Sequence, residues 1–174
     1  MPSVESINWE RFEQLTHMLA EQIAPFDPQI IIGIARGGLF PATLLSFILR
    51  HELYPIRLAY HHDDSEQPPI WLVPPPTKVD GRRVLVVHET AESGRTLALA
   101  AAEIRALGAS QVRTASLYAH TWANPRPDYV ALTSDALILS PWDRAIFIDG
   151  QWSTHPELSA ALHNQSTDAD APPS

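Results

Sequence analysis

From Phe12 onward, apolar side chains recur at Leu15, Leu19 and Ile23, the three-to-four spacing that lines one face of a helix. Ser6 or Asn8 can cap its start, and Pro25 and Pro28 stop it. Ile30–Ile34 reads differently, because IIIGI is apolar at every position, as expected of a parallel strand covered on both faces. It gives way to Ala35-Arg36-Gly37-Gly38. From Leu39 to Leu53 the helical spacing returns, with Pro41 in the first turn, where its missing N–H costs nothing.

Ile56 to Tyr60 reads as a second strand, the polar YHHDDSEQ follows, and the proline-bracketed IWLVPPP is best taken as an irregular crossover. Val84 to Val87 repeats the buried-strand pattern, HETAESGRT reads as a turn, and Leu97 to Leu107 is an alanine-rich helix stopped by Gly108. Further strands are expected at Val112 to Tyr118, Tyr129 to Leu132 and Ala136 to Leu139, ahead of the aromatic-rich PWDRAIFIDGQW. Strands alternating with helices imply an α/β fold with an open, mainly parallel sheet, which binds ligands at the carboxyl ends of its strands.

At 174 residues and 45% hydrophobic content the chain fits one domain with a sizeable core. Twenty acids against 12 basic residues, a net charge of -8, leave no broad positive field for a nucleic-acid backbone. The absence of cysteine removes disulfides and thiol catalysis, and fits a reducing cytosol. The first residues show neither the basic opening nor the apolar run of a signal peptide, and no stretch is apolar enough to span a membrane. The expectation is therefore a cytoplasmic protein that engages neither nucleic acid nor membrane.

The segment VLVVHETAESGRTLALAAAEIRALGA sets a buried strand, acids, a small-residue turn and a helix start in immediate succession. Exposed N–H groups and the dipole at a helix N-terminus favour a phosphate. Gly94 lets the backbone come close, and Ser93 and Thr96 add hydroxyl donors. Glu89, at the strand's end, offers a carboxylate that can accept from a ribose diol.

These residues resemble the phosphoribosyl pyrophosphate signature of type I phosphoribosyltransferases: an apolar strand, two acids, a small-residue turn, then Thr-Gly-x-Thr. Ser93-Gly94-Arg95-Thr96 matches the last part, and His88-Glu89 stands where the family has its acid pair. The resemblance implies a ribose-phosphate site made by His88, Glu89, Thr90, Ala91, Ser93, Gly94, Arg95 and Thr96, with Glu92 as the acid that handles the purine N7 proton. Upstream, IIGIARGGLFPATLL is similar to the family's pyrophosphate loop. That likeness gives Ala35, Arg36, Gly37 and Gly38 the same role, and it implies a strained peptide beside Arg36 where a cis form is to be looked for. SLYAHTWANPRPDYVALTSDALILSPWD looks like the base-recognition end of bacterial and archaeal xanthine-guanine or hypoxanthine enzymes. His120 stands there where a lysine is usual, Leu137 where an aromatic residue is usual, and Ile138 at an apolar position.

The likeness runs from about Ile30 to Trp142. It implies an open, mainly parallel sheet flanked by helices with a small C-terminal hood, over residues 1–162, ahead of a flexible tail, 163–174, that lacks large apolar groups. The implied reaction transfers 5-phosphoribose from phosphoribosyl pyrophosphate to a purine or purine-like base, releasing pyrophosphate. Magnesium (Mg2+) is the implied cofactor, held by Glu89 directly or through water. The expected partners are those small molecules and a second copy of the chain, in a homo-oligomer that is a dimer in the first instance.

Blander readings stand beside these. His88 either packs and bonds a neighbouring carbonyl or donates to a ribose hydroxyl, and the sequence leaves both open. Arg36 could pair with surface carboxylates, and His120 could simply be satisfied at a strand end. His61, His62, Asp63 and Asp64 read as a solvated loop rather than a metal site, because neighbours in an extended segment point opposite ways, and the resemblance implies that this loop lies over the substrate. Trp71 and Trp142 read as packing residues. The rival function is a non-catalytic protein of the same fold that binds a nucleotide or phosphoribosyl pyrophosphate as a signal, which the changes at His88, His120 and Leu137 would suit. A third is a partner-binding scaffold with a blocked phosphate turn.

Overall fold

β1 (Val4–Ser6) opens the chain and α1 (Trp9–Ile23) follows. Of the two candidate caps, Asn8 serves: the Arg11 N–H donates to its Oδ1 at 2.7 Å. Phe12, Leu15, Leu19 and Ile23 are all buried, as their spacing predicts. The computed structural model describes residues 3–60 and 69–156. The loop of His61, His62, Asp63 and Asp64 and the tail 163–174 lie outside the described residues. Two compact units are present, one from Gln14 to Ser134 and one made of the segments on either side of it.

The larger unit contains β2 (Ile30–Ile34), α2 (Leu39–Leu49), β3 (Glu52–Ala59), β4 (Ile70–Val73), β5 (Arg83–Ala91), α3 (Arg95–Ala106), β6 (Gln111–Ala119) and β7 (Tyr129–Thr133). Its strands form one sheet in the order β4-β3-β2-β5-β6-β7, and every pairing is parallel except that of β3 with β4. This is the open, mainly parallel sheet expected. Strand alternation divides its core between two faces. On one, Ile30, Ile32, Val84 and Val86 pack with Leu97, Ala100 and Ile104 of α3. On the other, Ile31, Leu85 and Val87 pack with Leu19 and Ile23 of α1 and Ala42 and Leu45 of α2. IIIGI is buried at every position because helices cover both sides of it.

Several boundaries differ from the sequence-based expectation, each for a local reason. α2 stops at Leu49 rather than Leu53, because Arg50 takes a left-handed φ of 60° and its N–H closes on the Ser46 carbonyl. β3 then begins at Glu52, ahead of the expected Ile56, and includes Pro55. β4 pairs with β3 only from Arg57 to Ala59, so beside Pro55 there is no outer ladder to disrupt. IWLV is not an irregular crossover but this antiparallel strand, with Trp71 packed on the core. β5 runs through His88–Ala91, assigned above to a turn, because β6 pairs with it as far as Ala91 opposite Ala119.

In the smaller unit β8 (Leu137–Leu139) pairs in parallel with β1, while β9 (Ala145–Ile148) and β10 (Gln151–Thr154) form a hairpin. Asp149 and Gly150 turn it, with φ of 51° and 77°. The Asp-Gly pair between the short apolar runs of PWDRAIFIDGQW is the local signal for this hairpin. Trp142 packs edge-on against Phe12, ring centres 5.1 Å apart. No described helix is long and apolar enough to cross a membrane.

Candidate active site

Because β2 and β5 are parallel neighbours, the loops that leave their carboxyl ends lie side by side. After β2 comes Ala35-Arg36-Gly37-Gly38, in which the Ala35–Arg36 peptide is cis. The Ala35 N–H donates to the Ile56 carbonyl at 2.8 Å, holding the loop to β3. A Cβ on Gly38 would lie 2.6 Å from the Ile34 oxygen and 2.9 Å from that of Val87, so only glycine lets the loop pass this close to the two strands. Gly37 meets a side chain instead, for a Cβ there would overlap the Glu89 carboxylate. Arg36 is exposed and has no ion pair among the described residues.

Along β5, alternation sends His88 and Glu89 to opposite faces of the sheet. Glu89 goes to the side of the glycine loop. The half-buried His88 turns back on its own strand, with Nδ1 2.8 Å from the Thr90 carbonyl. A carbonyl only accepts, so Nδ1 carries the proton in that bond, whereas the Thr90 N–H, 3.3 Å away, donates to Nδ1 in the other tautomer. Burial pushes the His88 pKa below its ordinary value, against smaller opposing effects of the Thr90 carbonyl and Glu92. Beneath them, the Ser116 hydroxyl lies 3.1 Å from the Glu89 carbonyl and 2.6 Å from that of Tyr118, fixing the strand end.

Past Ala91 the chain turns through Glu92 and Ser93, both exposed, to Gly94 at φ 77°. A Cβ on Gly94 would overlap the Pro125 carbonyl oxygen, so close approach and φ both require glycine. Gly94, at the start of α3, has no side chain with which to cap it, so beyond the Arg95 N–H, which Ser93 engages, the leading N–H groups are left to solvent or a ligand. Ser93 Oγ is 3.4 Å from the Arg95 N–H, and Thr96 Oγ1 is 2.8 Å from the Tyr60 hydroxyl.

The β6–β7 connection is tied to this turn at two points. The His120 N–H donates to the Ala91 carbonyl at 3.1 Å, and the Asn124 N–H to the Ser93 carbonyl at 3.0 Å. His120 Nδ1 lies 2.8 Å from the Ser134 carbonyl, and its ring stacks on Trp122 at 4.4 Å and 12°. Asp128 anchors the far end of the connection. It accepts from the Thr114 N–H at 2.8 Å, the Thr114 hydroxyl at 3.0 Å and Arg113 at 2.8 Å. Burial alone would raise the Asp128 pKa, but hydrogen bonds from Thr114 and Arg113 hold it below the usual carboxylate range.

The larger unit thus gathers Ala35 to Gly38, His88 to Thr96, and His120. Leu137 and Ile138 belong to β8 of the smaller unit, opposite Val4 and Glu5 of β1. Tyr60, Trp122 and Pro125 were not singled out from sequence. The Asn-Pro pair after Trp122 marks a turn next to a strand's carboxyl end, and that was the available signal. Among the described residues no three His, Cys, Asp or Glu side chains gather as a metal site.

A family model described as phosphoribosyl transferase domain matches residues 6–147. The xanthine-guanine phosphoribosyltransferase of Cereibacter sphaeroides is 28% identical over 150 residues, which cover 80% of this chain and 87% of that protein. Among solved structures, the purine phosphoribosyltransferase of Pyrococcus horikoshii Ot3 superposes with a TM-score of 0.76 at 29% identity, covering 84% of this chain and 99% of that one. The Helicobacter pylori xanthine-guanine-hypoxanthine phosphoribosyltransferase gives a TM-score of 0.73 over 92% of this chain and 99% of its own. At 19% identity that second likeness is one of fold.

Proposed function

Because this chain belongs to the phosphoribosyl transferase domain family, we propose that it transfers a 5-phosphoribosyl group from phosphoribosyl pyrophosphate to a purine, releasing pyrophosphate. The observation that carries the reading is the contact between Gly37 and Glu89, which sets a glycine loop suited to an anion against a carboxylate suited to a ribose. In this reading Arg36 and the amides of Ala35, Gly37 and Gly38 take the pyrophosphate. The uncapped start of α3, with Ser93, Arg95 and Thr96, takes the 5′-phosphate beside Gly94. Glu89 accepts from the ribose hydroxyls, and His88, Thr90 and Ala91 form the strand end beneath the sugar. The base lies toward His120.

As the C1–O bond to pyrophosphate breaks, a C1–N bond to the base forms, and Glu92 receives or shares the base proton. Magnesium, which Glu89 would hold directly or through water, would supply neutralisation of the leaving group's charge. The protein's own share is to hold both reactants in line, which can replace much of the entropy cost of their meeting. The purine is supported by the relatives, a xanthine-guanine and a purine phosphoribosyltransferase. The assembly in this reading is a cytoplasmic homodimer.

The test is release of pyrophosphate from phosphoribosyl pyrophosphate and magnesium with hypoxanthine, guanine and xanthine in separate reactions. Release with at least one base, lost in Glu92→Ala, supports the reading. No release with any base, alongside tight nucleotide binding, would replace it with the ligand-binding protein. Absence of binding as well would leave a scaffold.

A further inference from the structure

Trp122 is 59% exposed, yet one face of its ring is already covered by the imidazole of His120, parallel to within 12°. An indole kept only for packing would be buried, whereas this one is braced from behind and open in front. Its place in the chain is fixed by two hydrogen bonds. His120 is tied to Ala91 and Asn124 to Ser93, so the turn that carries Trp122 is fastened to the stretch that carries Glu92. The Ala123 N–H donates to the His120 carbonyl at 3.2 Å, making a tight turn of the residues between and pushing Trp122 outward at its tip. Glu92 is exposed too, so a carboxylate and an open aromatic surface flank the same stretch of turn.

We infer that Trp122, braced by His120, is the stacking platform for the heterocyclic base whose proton Glu92 handles. The inference rests on the transferase reading and deepens it, by assigning base recognition to a residue of the β6–β7 turn. An indole face carries a negative quadrupole and prefers offset stacking on flat, electron-poor rings, which describes a purine. His120 braces the platform in turn, since the Ser134 carbonyl at Nδ1 fixes the plane of its ring. Trp122 then sets base affinity and leaves the phosphate turn and the glycine loop untouched.

The experiment is steady-state kinetics on the full chain, wild type against Trp122→Ala and Trp122→Phe, with each substrate varied in turn. Trp122→Ala is expected to raise the KM for the base about tenfold or more, the scale of one lost base-aromatic stack. The KM for phosphoribosyl pyrophosphate should stay within about twofold, and Trp122→Phe should recover most of the loss. Unchanged base KM, or an equal rise for both substrates, would overturn the platform while leaving the transferase reading standing. If wild type releases no pyrophosphate with any base, that reading falls, and guanosine monophosphate binding by calorimetry decides the platform instead. Binding weakened in Trp122→Ala and restored in Trp122→Phe would uphold it. Equal binding in all three proteins, or none, would overturn it.

Discussion

The carboxylate of Glu89 occupies the space that a side chain on Gly37 would need, so one contact sets both the glycine loop and the strand-end acid. Gly38, next in sequence, is hemmed in by the Ile34 and Val87 carbonyls instead. A carboxylate at the end of a flexible side chain can swing aside. Backbone cannot.

Alanine at these two glycines should therefore act in different ways. Gly37→Ala is expected to displace Glu89 and weaken ribose 5-phosphate binding about tenfold, ~1.4 kcal/mol, with little change in stability. Gly38→Ala should cost about 1–3 kcal/mol of stability through overpacking. Calorimetric titration and urea unfolding of both variants separate the effects, and equal destabilisation by the two would contradict the contact.

Glu89 should dominate ribose recognition over His88, since alternation along β5 points the two apart and the His88 ring is engaged by Thr90. Glu89→Gln is expected to lose more affinity for ribose 5-phosphate than His88→Ala at pH 7. A loss confined to the histidine variant would reverse the assignment.

The depressed pKa of His88 makes a signed prediction about acid. Between its ordinary value near 6.5 and the lower folded value, the unfolded chain binds the proton and the folded chain does not. Stability from keeping this ring neutral is thus fully present above about pH 6.5 and is lost as pH falls toward the folded value. Urea unfolding from pH 7.5 to 5 should show that loss in wild type and a shallower one in His88→Asn, whose amide can still donate to the Thr90 carbonyl. Parallel slopes would mean that His88 is not the group responsible.

Asp128 fastens the connection that carries Pro125 behind Gly94. Asp128→Ala leaves the Thr114 amide and hydroxyl without their acceptor and should cost about 1–3 kcal/mol. If the turn depends on that anchor, phosphate affinity falls in parallel, which titration of ribose 5-phosphate would read. Asn8→Ala, by contrast, should cost about 1 kcal/mol from loss of the α1 cap and leave ligand binding alone.

What the sequence made legible was whatever depends on local spacing. Phe12, Leu15, Leu19 and Ile23 announce α1, and IIIGI announces a doubly covered strand, because burial is written into consecutive residues. The end of α2 was not legible, since a left-handed Arg50 carries no signal of the kind glycine gives. The extension of β5 through Ala91 depends on pairing with β6, some 28 residues further on, and β1 is three residues long and paired with β8. The same distinction runs through the candidate site. Its two loops could be read as motifs, but the contact between Gly37 and Glu89, and the fastening of the Trp122 turn to Ala91 and Ser93, come from chain segments meeting in space.

β4 offers only four residues at the rim of the sheet, and Pro74, Pro75 and Pro76 follow at once. Ile70, Leu72 and Val73 are exposed there, so the rim is greasy. A foreign strand that began to zip onto it would run out of amide hydrogens within a rung or two. The margin can therefore be sticky without acting as a template, and fibre growth from this edge is stopped by the prolines even where its apolar side chains invite it.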